Sequence, residues 1–119
     1  MAELTNKERL QPSLLDRLID NEPEKTQESR EQRVFSLTRL RDAALRDLAW
    51  LLNTTNLAAG QDLGAYPQVA SSVVNYGIPD LSGMTVSGTD VTVFERALRK
   101  AIMDFEPRIL RHTLSVRLE

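Results

Sequence analysis

Apolar residues recur along this chain in two long helical stripes, one short helical stripe and one alternating run. From Ser36 to Asn53, Leu37, Leu40, Leu45, Leu48, Leu51 and Leu52 return at three- and four-residue steps with Ala44 between them. Arg39, Asp42, Arg46 and Asp47 take other positions, so the stretch predicts an amphipathic helix and the best core element of the chain. Trp50, near its end, is expected to pack in the core or at the cap rather than serve as a ligand platform. A second long helix is predicted from Thr89 or Asp90 to Phe105. Asp90 is the expected cap, and Val93, Phe94, Ala97, Leu98, Ala101, Ile102 and Phe105 share one side. Between the two, Asn53 to Asn56 break the first helix, and Pro67 to Asn75 predict a shorter one with Pro67 in its first turn. Gly77 and Pro79 then read as a helix C-cap followed by a stop.

The alternating run is the C-terminal one. Leu110, His112, Leu114, Val116 and Leu118 alternate with Arg111, Thr113, Ser115 and Arg117, which is the period of a strand with one buried side. His112 is expected on that apolar side as a hydrogen-bonded core residue. A lone strand leaves its backbone donors and acceptors unmatched, so it must pair, and residues 84–87 are a short internal candidate. An exposed edge at residues 109–119 predicts self-association of the chain.

The first 33 residues carry one apolar island, LLDRLI. Ser13 followed by Asp16 fits a capping arrangement after Pro12, and Leu14, Leu15, Leu18 and Ile19 then share one side of a short helix. So small an apolar patch needs a surface, either its own domain or a partner. Residues 20–33 hold eight charged side chains and no large apolar one, the signature of a solvated linker. The organisation read from this is a docking segment and linker over 1–33 and one domain over 34–119.

Composition narrows the function. The chain has 119 residues, enough for one modest core, and a formal charge of -2 that predicts no attraction to nucleic acid or anionic membrane. Twelve of the fifteen bases are Arg, which suits planar bidentate partners, although codon bias would produce the same count. With no Cys there is no disulfide framework, thiolate metal site or cysteine nucleophile. No apolar run approaches the roughly 20 residues of a membrane helix, and the N-terminus lacks the regions of a signal peptide, so cytoplasmic residence is expected.

The search for chemistry is largely negative. No GxSxG, GxGxxG or GxxxxGK[ST] occurs, a lone His gives no metal site, and no cofactor is expected. Asp104 and Glu106 lie two residues apart on a helix end and project to different sides, which does not suit a glycosidase pair. The notable cluster is Phe105-Glu106-Pro107-Arg108, where Pro107 pushes Glu106 toward an extended conformation and sets a carboxylate beside a guanidinium at a rigid bend. An internal Glu–Arg pair and a bidentate grip on a partner are both open there.

At this corner, and in the blocks LQPSLLDRLIDNEP, RDLAWLLNT, YPQVASSVVNYGIPDLSG and AIMDFEPRIL taken in order, the sequence resembles the phage-tail baseplate wedge family often labelled lysozyme-like. The likeness is to its type VI secretion branch, TssE. The resemblance implies an α+β fold with helices packed on a small antiparallel sheet. It implies a structural rather than catalytic role, joining the wedge subunits TssF, TssG and TssK beneath the contractile sheath. Glu106, Pro107 and Arg108 match the family's Glu-Pro-Arg motif and would contact the wedge core. Ser13, Leu14, Leu15, Asp16, Arg17 and Leu18 would form a docking segment. Family members continue into further strands that are missing here, so the chain is expected to be mostly helical. A regulatory adaptor on the same fold and a cell-wall glycoside hydrolase are the rival functions.

Overall fold

Helix α1, Leu14–Leu18, begins where the sequence places its cap: the Ser13 hydroxyl accepts from the Asp16 backbone N–H at 3.4 Å and donates to the Asp16 carboxylate at 2.6 Å. Its five residues bury no side chain, and Leu14 and Leu18 are 74% and 72% exposed. The computed structural model describes residues 12–27, 36–82 and 88–119, without the side chains of residues 88 and 89. The chain divides into two compact units, residues 1–45 and 46–119. The candidate strand at 84–87 and the last part of the charged linker fall outside the described residues.

Helix α2, Leu37–Leu52, crosses that division. Ser36 caps it, its hydroxyl accepting from Arg39 N at 3.2 Å and its carbonyl from Leu40 N at 3.0 Å. At the other end, the Asn53 amide donates to Ala49 O at 2.6 Å and the Thr54 hydroxyl to Trp50 O at 2.7 Å, adding side-chain donors to carbonyls that the Asn53 backbone N–H reaches only at 3.2 Å. The polar run after the helix is therefore its C-terminal cap as well as a breaker. Of the leucine stripe, Leu51 is fully buried while Leu37 and Leu45 lie exposed. Trp50, expected in the core or at the cap, is half exposed and so does not take the core position that Leu51 does.

Within residues 46–119 the main element is α4, Gly88–Phe105, reached through a 3-10 turn at Leu57–Ala59, the short helix α3 at Pro67–Ala70 and a second 3-10 turn at Val73–Asn75. The helix expected over Pro67 to Asn75 is thus broken. Ser72 is extended, and its hydroxyl donates to Val69 O at 2.8 Å. Helix α4 begins two residues ahead of Asp90, which lies in its first turn rather than capping it. Phe94, Leu98, Ala101 and Ile102 on α4 are buried, and Phe94, Leu98 and Ala101 cluster with Ile78, with Phe105 and Val116 against them. Burying side chains the size of Phe94, Leu98 and Ile102 contributes about 1.5–3 kcal/mol each. Val93, expected on the same side, is exposed.

The architecture is mostly helical, and no sheet occurs among the described residues. One isolated parallel bridge joins Thr55 to Ile78, with Ile78 N donating to Thr54 O at 2.8 Å and Asn56 N to Ile78 O at 2.9 Å. Gly77 immediately precedes the residue that makes both bonds, at φ 132°, outside the range of an ordinary left-handed cap. Its place follows from the close approach to the Thr54–Asn56 backbone rather than from ending a helix.

The C-terminal segment departs most from its sequence pattern. Arg111–Thr113 form a 3-10 turn instead of the start of a strand, and His112 is exposed there rather than on a buried side. Only Leu114 and Val116 turn inward afterwards, and Leu118 N donates to the Glu95 carboxylate at 2.9 Å. The alternation is satisfied by α4 on one side, without a ladder. The edge expected to drive self-association is accordingly not formed as a strand among the described residues. Nor is any helix among them long and apolar enough to cross a membrane.

Asn75 ties the connection together. It is buried, its carbonyl accepting from Ala58 N at 2.9 Å and its amide donating to Ala70 O at 2.8 Å, so one side chain links the Leu57–Ala59 turn to the end of α3. Asn75→Ala would leave both backbone groups unmatched, and a loss of about 2 kcal/mol is expected in urea unfolding. An unchanged midpoint would show that water replaces the amide without cost.

Candidate functional site at the Glu106 to Arg108 corner

Helix α4 ends at Phe105 because Pro107 cannot continue it, and Glu106 N still donates to Ile102 O at 2.8 Å. Ile109 N closes the bend onto Glu106 O at 3.3 Å. This turn folds Arg108 back over Glu106. The guanidinium donates through Nε to Glu106 Oε1 at 2.6 Å and through Nη2 to Oε2 at 2.7 Å, a two-pronged fork, and Arg108 N adds a longer bond at 3.3 Å. Glu106 is 4% exposed. Of the two readings left open by the sequence, the internal pair is the one that forms.

Arg108 is also held from the other side. Its Nη2 donates to Asp47 Oδ2 at 2.5 Å, although the two residues are 61 positions apart. Asp47 divides its oxygens, because Oδ1 accepts Arg46 Nε at 2.9 Å and lies 2.8 Å from Arg46 Nη2. The Arg46 guanidinium in turn lies 5.0 Å from the centre of the half-exposed Trp50 ring. A continuous chain of contacts therefore runs from Glu106 through Arg108, Asp47 and Arg46 to Trp50, with its four charges balanced in sign. Arg108 Nη1 is buried and has no hydrogen-bond partner among the described residues.

The electrostatics follow from this arrangement. The Glu106 carboxylate holds the Arg108 guanidinium above its ordinary pKa, partial burial opposes that shift, and Asp47 adds to it. Tyr76 packs edge-on against Phe105 with ring centres 5.3 Å apart. Burial first, and then the charges of Asp47 and Glu106, raise its hydroxyl pKa. A phenol that keeps its proton longer when folded contributes stability that is present below about pH 10 and lost as pH rises through the folded value. Tyr76→Phe should therefore flatten the alkaline fall in melting temperature above about pH 10, and equal slopes for the two chains would count against this coupling.

Asp47 is the residue of the charged corner that the sequence does not single out, since it stands simply among the polar positions of α2. A signal was present, since Asp47 lies four residues before the buried Leu51 and so shares its side of the helix. A carboxylate leaning toward a core needs a cation, and Arg108 is that cation. The other expected contact, Ser13 to Leu18, lies in the unit of residues 1–45, where α1 and its cap form as anticipated.

Chemically, the corner offers little to a substrate. Both Glu106 oxygens are taken by Arg108, and Asp104, the carboxylate nearest in sequence, is paired with Lys100 at 2.5 Å. What the arrangement does supply is a rigid bend whose guanidinium is fixed from two elements.

No curated protein and no solved structure matches the chain significantly. Residues 38–119 match the family described as baseplate wedge protein gp25, a structural family and not a known family of enzymes. That match spans α2 from its second residue, all of α4 and every residue of the charged corner, and leaves α1 outside it. With more than half of its length matched, the chain belongs to the baseplate wedge protein gp25 family, whose branches include TssE.

Proposed function

We propose that the chain is a non-catalytic structural subunit of TssE type in the baseplate of a type VI secretion machine, acting in the cytoplasm. The observation that carries this reading is the family match over residues 38–119, which takes in Asp47, Glu106 and Arg108 together. Residues 34–119 act as the wedge domain, joining TssF, TssG and TssK and the base of the contractile sheath. Glu106, Pro107 and Arg108 form one contact. Pro107 is exposed at the bend that the Glu106–Arg108 fork stiffens, which supports a role in presenting this corner to a neighbour. Ser13, Leu14, Leu15, Asp16, Arg17 and Leu18 form a second contact, supported by the exposed leucines of α1.

Co-expression with TssF, TssG and TssK tests the reading. The full chain is expected to co-purify with them, and Leu14→Asp combined with Leu18→Asp should weaken capture at least about tenfold without lowering the melting temperature. Failure of the unaltered chain to co-purify would overturn the assignment. Capture that survives the double substitution would remove the α1 contact alone.

A further inference from the structure

The geometry points to Asp47 as a positioning residue for the corner: we infer that it orients Arg108 relative to α2 and so sets the shape that a wedge partner meets. The inference rests on the reading of the corner as a contact. Glu106 is two residues from Arg108, so their fork fixes the guanidinium only within its own turn. Asp47, on a different helix and 61 residues away, is the tie that fixes it to the rest of the unit. Because Asp47 gives one oxygen to Arg46 and the other to Arg108, its rotation is restricted from both ends.

An amide at position 47 would keep the shape and lose the function of one oxygen. Whichever way it is turned, its NH2 faces an arginine N–H, and one of the two ties is broken. The Glu106–Arg108 fork would remain, leaving a corner that is formed but free to reorient.

The test uses the full chain and its Asp47→Asn variant, with TssF, TssG and TssK as the probe. Asp42→Asn, the same charge change at an exposed position of α2, is the control. Asp47→Asn is expected to bind about tenfold more weakly while keeping a cooperative melt, and Asp42→Asn is expected to bind as the unaltered chain does. Side-chain NMR supplies a readout that needs no partner: exchange of the Arg108 Nη2 hydrogens should quicken in Asp47→Asn, while the Nε–H held by Glu106 stays as it is. Should that variant not fold, Asp47→Glu keeps the charge with a longer arm and is expected to show weaker binding and faster Arg108 Nη2 exchange than the unaltered chain. Equal capture and equal exchange in the Asp47 variant and the unaltered chain would overturn the inference alone. Absence of capture by the unaltered chain would overturn the contact reading and this inference with it.

Discussion

Gly77→Ala should cost about 3 kcal/mol or more and lower the melting temperature by more than about 10 °C. Two effects act together. At φ 132° a side chain is strained whatever the surrounding space. A Cβ there would also stand 2.5 Å from Thr54 O, 2.8 Å from Asn56 N and 2.9 Å from Thr55 C, all of them backbone atoms that cannot rotate aside. Thr54 O is the acceptor of the Ile78 N–H, and Ile78 belongs to the α4 core, so the disturbance enters the packing directly. Gly60→Ala is the contrast, since a Cβ there meets nothing within 4 Å and stability should change by no more than about 0.5 kcal/mol. Circular-dichroism melts of the two variants decide the matter, and a Gly77→Ala chain melting within about 2 °C of the original would show that the bridge is dispensable.

What the sequence shows well in this protein is whatever neighbours in the chain determine. The Ser13 cap, the Ser36 start and the stop at Pro107 each depend on residues within a turn of one another, and all three form as their patterns suggest. Long-range choices are less visible. The alternation from Leu110 to Leu118 states that one side is covered but not by what, and α4 covers it where a sheet was expected. Trp50 is apolar enough for a core, yet Arg46 one turn earlier gives it a cationic partner at the surface. Gly77 was readable as a special backbone position, while the reason for it lies more than twenty residues earlier, at Thr54 to Asn56. For the site, the Glu106-Pro107-Arg108 corner was legible because its residues adjoin. Asp47 was not, because only the fold brings it to Arg108.

That difference between local and long-range ties governs the largest effect expected at the corner. Arg108→Met should be the most damaging change there, costing about 3 kcal/mol, because it leaves Glu106 buried without its fork and Asp47 with Arg46 as its remaining cation. Glu106→Gln should cost less, about 1.5–2 kcal/mol, since Arg108 keeps Asp47. Combining Glu106→Gln with Arg108→Met removes both charges of the fork, and part of the lost stability should return, because no unpaired charge is left buried at position 106, only an amide. Urea unfolding of the four chains measures this coupling, expected at about 1.5 kcal/mol or more, and additive losses would show that the fork contributes nothing beyond its separate parts. Capture of TssF, TssG and TssK should behave differently. A corner set by Glu106, Arg108 and Asp47 is not rebuilt by a glutamine and a methionine, so the double variant is expected to regain stability and not binding. Recovery of both would make the pair a device of folding alone, whereas recovery of stability by itself separates holding the bend from presenting it.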